Sequence, residues 1–167
     1  AIKHMDVNEN ERNIILSHQF VTGAIRSDSE EISLGGTDNV DVCAYDSFDY
    51  VALGHIHSPQ KLVRDTVRYS GTPLKYSFSE CRHNKSVTVV EMKEKGNVSI
   101  TQIPLVPMHD MVEIKGKYDE VMAKSFYENL NADKDYFHIT LTNEEDVADA
   151  LLKLRTVYKN IMKLDYD

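Results

Sequence analysis

Two short apolar runs, each closing on histidine, constrain the fold of this chain more than any other feature. They are Asn13-Ile14-Ile15-Leu16-Ser17-His18 and Tyr50-Val51-Ala52-Leu53-Gly54-His55-Ile56-His57. Both are short and continuous rather than alternating, as in strands covered on both faces of a parallel sheet. In an open α/β sheet, ligands bind beyond the carboxyl ends of the strands, where both runs carry their histidines. Ahead of the first run, Ala1 to Met5 reads as the tail of a helix. A helix tail leading directly into a strand suits the middle of an α/β fold, so further sequence upstream of Ala1 is expected.

Composition bounds the class. A length of 167 residues allows one domain or two small ones, and 41% apolar residues are enough for a core. Seven Gly, four Pro and two Cys exclude collagen-like and disulfide-dense chains. There is no apolar stretch of the roughly 20 residues that a bilayer requires, and no signal-peptide pattern. Cys43 and Cys81 form no CxxC, read as small inert thiols, and fit a reducing, cytoplasmic setting. A net charge of −8 argues against a general nucleic-acid coat protein but leaves room for an enzyme that meets nucleic acid through one patch. Residues 61–85 supply such a patch, with six Lys or Arg against Asp65 and Glu80. Tyr69, Tyr76 and Phe78 interleave with these cations, as on many nucleic-acid surfaces. The same pattern also suits solvated strand faces over core aromatics.

Along the chain, residues 27–50 hold seven acids and no base, with Gly35-Gly36 between, and read as a mobile loop plus a short helix. Val67 to Ser70 reads as a strand stopped by Gly71-Thr72-Pro73. Ser86 to Met92 and Val98 to Ile103 flank Lys95-Gly96-Asn97 as a hairpin. A boundary falls near Pro104 to Pro107, giving domains 1–105 and 106–167. The second reads as strand (Asp110 to Ile114), helix (Asp119 to Asn129), strand (Tyr136 to Leu141), helix (Glu144 to Arg155) and strand (Asn160 to Leu164). Asn143 is the expected cap of the later helix.

Gly54-His55-Ile56-His57 is the sharpest chemical feature. On extended backbone, residues i and i+2 point to one side, so His55 and His57 can converge. With His18 at the other strand end, three imidazoles favour a transition metal over Mg²⁺ or Ca²⁺. A lone His at a strand end is more often simply hydrogen-bonded, and a two-metal hydrolytic site also needs bridging carboxylates. The acids here show no ligand spacing, so spacing alone stops at half of a metal site. His4, His83, His109 and His138 read as surface or packing residues, and Met5, Met108, Met111, Met122 and Met162 as core filler.

Three stretches together carry a resemblance: Ile14 to Phe20, Phe48 to His57, and Val67 to Glu80, the last containing Tyr69-Ser70-Gly71-Thr72-Pro73-Leu74-Lys75-Tyr76-Ser77-Phe78-Ser79-Glu80. They resemble the SbcD family of nuclease subunits, a bacterial DNA-repair branch of the calcineurin-like metallophosphoesterases. The GHxH pattern alone indicates the superfamily, and the long third stretch is specific to the branch. The resemblance implies an α/β (α+β) fold: part of a calcineurin-like four-layer β-sandwich flanked by helices, then a small βαβαβ DNA-capping domain. It implies two Mn²⁺ ions, with His18 and His55 as ligands of the second and His57 of the first. The family's Asp-x-His, Gly-Asp and Gly-Asn-His-Asp motifs do not occur in this sequence, so the bridging Asp, the Asn ligand and the catalytic His are not assigned to it. The family's later helices, which grip the ATPase, are likewise expected beyond Asp167.

The implied protein is a cytoplasmic, metal-dependent DNA exonuclease and endonuclease of repair, recombination and replication. It would hydrolyse phosphodiesters with an SbcC-like ATPase, as a homodimer and without a membrane. Arg64, Arg68, Lys75 and Tyr76 become candidates for DNA contact, and the isolated chain is expected to be inactive. The rival readings are another calcineurin-like phosphoesterase, acting on a nucleotide or phosphoprotein, and a non-catalytic DNA- or partner-docking module.

Overall fold

The computed structural model describes Ile2, residues 5–30 and residues 39–167. Most of the expected N-terminal helix tail, and Gly35-Gly36 with its surroundings, lie outside these residues. The chain divides into two units: Ala1–Leu74 with Arg82–Val106, and Lys75–Cys81 with Pro107–Asp167. The architecture is α+β.

The first unit is built on β1 (Ile14–His18), β2 (Phe20–Val21), β3 (Asn39–Val40), β4 (Tyr50–Gly54), β5 (Gln60–Leu62), β6 (Arg64–Tyr69), β7 (Ser86–Met92) and β8 (Val98–Pro104). The main sheet runs β1-β4-β6-β5; β1 and β6 lie parallel to β4, and β5 is antiparallel to β6. Val51, Leu53, Val67 and Tyr69 are buried in its core with Tyr45, Phe48 and Ile56. Strand β4 has the burial expected of a continuous apolar run at the centre of a sheet. Strand β1 does not: among the described residues it is an edge, with Ile14 53% and Leu16 81% exposed. Only Ile15 of its apolar run packs on the core. The run therefore forms a strand as expected, but one that is not covered on both faces.

Strands β7 and β8 form the expected antiparallel hairpin, with Gly96 at φ +79° in its turn. The expected short helix is a 3-10 helix over Val42–Tyr45, capped by the Asp41 carboxylate accepting from the Cys43 amide at 2.9 Å.

The second unit contains three parallel strands, β9 (Met111–Gly116), β10 (Tyr136–Leu141) and β11 (Asn160–Tyr166), with β10 in the centre. Parallel neighbours need crossovers, and the helices here are short. They are α1 (Tyr118–Val121), α2 (Lys124–Tyr127) and α3 (Ala150–Leu154). The expected helix over 119–129 is thus split, with Ala123 in an extended conformation as the cap of α2. The expected helix over 144–155 shrinks to its C-terminal part. Asn143 does not cap it; its side chain accepts from the Tyr118 amide at 2.8 Å, tying the start of α1 to the loop after β10. Phe137, Ile139, Leu141, Leu154 and Tyr158 form the core. Burial pushes the Tyr158 phenol up to about 12, while its hydroxyl donates to the Val121 carbonyl at 2.6 Å. Among the described residues no helix is long and apolar enough to cross a membrane.

Lys75–Cys81 belongs with this second unit. Lys75 pairs with Asp110 at 2.7 Å, Cys81 donates to the Glu113 carboxylate at 3.3 Å, and Phe78 packs tilted on His138 at 5.4 Å.

Candidate metal centre

Parallel pairing of β1 with β4 sets His18 directly opposite Gly54, at the carboxyl ends of both strands. The next residue, His55, turns back with φ +103°, a conformation that a non-glycine residue adopts at a cost and that clusters at functional sites. The turn brings its ring edge-on to His18, with centroids 5.5 Å apart and planes at 78°. Gly54 makes room for this pair. A Cβ there would stand 2.8 Å from His18 Nδ1, so any other residue would displace the ring. The two rings thus meet at the carboxyl ends of β1 and β4, and imidazole nitrogen is a ligand type that suits ions such as Zn²⁺.

His57 is held differently. Because β4 ends at Gly54 and His55 leaves the extended conformation, the i, i+2 alternation expected of His55 and His57 does not apply. The His57 amide donates to the Glu30 carboxylate in a short hydrogen bond, and Ser29 Oγ lies 3.3 Å from its Nδ1. The His57 carbonyl accepts from the Thr72 amide at 3.1 Å and from Lys85 Nζ at 3.0 Å. Gly71, at φ +76°, lets the chain pass this carbonyl; a Cβ there would lie 2.7 Å from it and from the Pro59 ring. No group of three or more His, Cys, Asp or Glu side chains among the described residues is arranged to hold a metal ion. His18 and His55 thus meet ring to ring, while His57 is braced through its own contacts.

The basic segment largely turns inward. Arg64 donates to the Tyr45 and Phe48 carbonyls at 3.0 and 2.9 Å. Arg68 is 8% exposed, with its Nε buried and unpaired. Burial pushes the Tyr50 phenol up, and the Arg68 charge opposes that shift. Lys75 is committed to Asp110 and to the Cys81 carbonyl. Tyr76 alone of the four candidates presents most of its surface, at 61%.

Sequence reasoning passed over several residues. Glu30 counted only as one acid in an acidic loop and Lys85 only as one cation in a basic run, yet both are buried against His57. His138 is more than a packing residue. It bridges Glu113 at 3.0 Å and Asp165 at 2.8 Å across the second sheet. Hydrogen bonds with Lys163 and His138 hold the Asp165 carboxyl below the usual range. Met5, Met108 and Met162 are exposed rather than core filler.

Residues 107–167 match the SbcD_C family, described as "Type 5 capsule protein repressor C-terminal domain". The chain belongs to the SbcD family. It is 33% identical over 159 residues to the SbcD subunit of the nuclease SbcCD from Staphylococcus epidermidis, covering 95% of this chain and 42% of that protein. It is 34% identical over 167 residues to the protein of the same name from Staphylococcus saprophyticus, covering 98% of this chain and 43% of that protein. The chain thus spans about two fifths of the length of these curated relatives.

Proposed function

We propose that this chain supplies the imidazole ligands of a two-metal DNA nuclease of the SbcD type, acting with an SbcC-like ATPase in the cytoplasm. His18 and His55 hold one metal and His57 the other, with Mn²⁺ as the resident ion. The observation that carries the reading is the His18–His55 pair on adjacent parallel strand ends, with Gly54 clearing its space. The nuclease names of the relatives support the class of reaction.

When bound, two metals supply Lewis-acid polarisation of a phosphodiester and an activated water. The chain's own contribution is positional. Neutral imidazoles donate lone pairs without adding negative charge that would repel a phosphate. The His55 turn aims one ring at His18, and the contacts around His57 keep the other from swinging. In this reading the remaining ligands, including any bridging carboxylate, are supplied by residues other than these three histidines. Tyr76 is the best placed of the four candidates to meet DNA, as an exposed aromatic face.

The test is a nuclease assay with Mn²⁺ on the full-length protein containing this chain. His55→Ala and His57→Ala are each expected to abolish cleavage while leaving the circular dichroism spectrum unchanged. Near-normal turnover in either variant would remove that residue from the metal site. The 167-residue chain alone is expected to leave DNA intact. Cleavage that disappears when all three histidines are replaced would instead mean that a complete site lies within it.

A further inference from the structure

The second unit leaves one sheet edge open. Its strands run β11-β10-β9, and among the described residues no strand pairs with the outer side of β11. The Asp167 amide donates inward, to the Leu141 carbonyl of β10. Backbone groups alternate in direction along a strand, so the N–H and C=O of Leu164 and Tyr166 point outward. The irregularity in this strand pair falls between Phe137 and His138, and the register from Lys163 to Tyr166 is even. Such an edge is a template for another strand. The surface beside it is apolar. Leu164 and Tyr166 stand opposite Ile139 and Leu141, which are fully buried, and so belong to the helix-covered face. There they border a groove of about 380 Å³ whose walls include Val147, Ala150, Leu151 and Leu152. Leu152 is 72% exposed, Met162 65% and Tyr166 41%.

The order of residues along this edge is complementary to itself. When two copies of β11 meet antiparallel with Leu164 opposite Leu164, the outward groups of Leu164 face their own counterparts and exchange both hydrogen bonds. Lys163 then falls opposite the partner's Asp165, Asp165 opposite the partner's Lys163, and Met162 opposite the partner's Tyr166. Sliding one copy by two residues sets Asp165 against Asp165 or Lys163 against Lys163, and like charges directly opposite are destabilising. Sliding by one turns the outward groups away from each other and flips every side chain to the wrong face. Backbone phase and charge order therefore select the same register. Asp165 is already held on its face by Lys163 at 2.6 Å and His138 at 2.8 Å, where the second lysine arrives. A two-fold axis normal to the sheet keeps α3 of both copies on one side, so the two apolar grooves meet across it.

We propose that the outer edge of β11 is a self-docking surface: a second copy of this chain adds its own β11 antiparallel about Leu164, joining two three-stranded sheets into one. The interface is isologous and therefore closes at two copies rather than propagating. An antiparallel neighbour at the edge of a parallel sheet is a common arrangement. The pairing stands apart from the metal reading above, which uses none of these residues.

The experiment is sedimentation equilibrium of the 167-residue chain, with circular dichroism to check the fold of each variant. The parent is expected to show a concentration-dependent dimer. Lys163→Asp leaves the Asp165–His138 contact in place but sets like charges opposite each other at both symmetry-related positions, so the dissociation constant should rise about tenfold. Asp165→Lys should weaken association similarly. The double exchange, Lys163→Asp with Asp165→Lys, recreates the opposite pairs in reverse order and should restore the dimer even though the His138 contact is lost. Simple structural damage cannot give that rescue. Hydrogen exchange supplies a second readout that needs no variant, and it decides the matter if the Asp165 variants unfold. The Leu164 and Tyr166 amides should gain protection as concentration rises, while the Ile139 amide, inside the sheet, stays unchanged. A parent that remains monomeric up to about 1 mM, a double variant no better than either single one, or Leu164 and Tyr166 amides that ignore concentration would overturn the proposal. Amides protected at every dilution in the full-length protein, but not in this chain, would give the edge to another segment of that protein and overturn it too.

Discussion

Gly71→Ala is the sharpest perturbation of the site that leaves every polar group in place. Two costs can be separated. The first is conformational. Gly71 has φ +76°, and a Cβ in the left-handed region costs roughly 1–2 kcal/mol. The second is spatial. The new methyl would stand 2.7 Å from the His57 carbonyl oxygen and from Pro59 Cδ, atoms of backbone and ring that cannot swing aside. Forcing a methyl into such a space costs about 1–3 kcal/mol more. The expected destabilisation is therefore about 2–5 kcal/mol, a large part of the roughly 5–15 kcal/mol typical of a domain. Gly96→Ala is the internal control, because Gly96 has nearly the same backbone, φ +79°, with nothing within 4 Å of the added Cβ. It should lose only the conformational part. Urea titrations would follow the amide signals of Val51 and Val67, which report the main sheet. In Gly71→Ala those midpoints should fall well below those of Gly96→Ala, and the Thr72 amide, which donates to His57, should lose its exchange protection. Equal midpoints for the two variants would refute the claim that the chain passes His57 at contact distance.

The other expectations are independent of that one. Arg68→Glu would place a carboxylate where a buried guanidinium now stands, leaving an uncompensated charge at a cost of several kcal/mol. Thermal unfolding should show the main sheet lost, whereas Tyr76→Ala should leave its melting unchanged and weaken only DNA retention. Tyr158→Phe removes the hydrogen bond to Val121 and should cost about 1 kcal/mol at neutral pH. The folded phenol titrates near 12 against an ordinary 10, so its contribution is complete below pH 10 and is lost as pH rises from 10 through about 12. Alkaline denaturation of the second unit in that window should therefore be less steep in the Phe variant.

Periodicity made most strands legible because strand formation is a local decision about side-chain sequence. The two histidine-ended runs, the hairpin and the three strands of the second unit all arose where apolar and β-branched residues cluster. The helices were less legible for a physical reason. Residues 119–129 and 144–155 carry helical spacing, but tertiary bonds override it: Asn143 is drawn to the Tyr118 amide, and Asp149 takes a left-handed conformation at the start of α3. Propensity is a weak prior against such contacts. Burial was least legible for β1, because an apolar run specifies a wish to be covered and not the neighbour that covers it.

The charges were hidden in a similar way. Read along the chain, Lys85 and Arg68 look like members of one basic run and Glu30 like a member of one acidic loop. Sequence spacing cannot tell a cation facing solvent from one aimed at a carbonyl, since the difference lies in what folds over it. Arg68 is buried on β6 of the main sheet, Lys85 ends on the His57 carbonyl, and Glu30 meets the amide of that same residue from a segment 27 positions earlier. Net charge per window thus overstated the nucleic-acid surface and hid the bracing of the site. The histidines could be read because GHxH is contiguous. The charges that meet the His57 backbone could not, because they converge only in three dimensions.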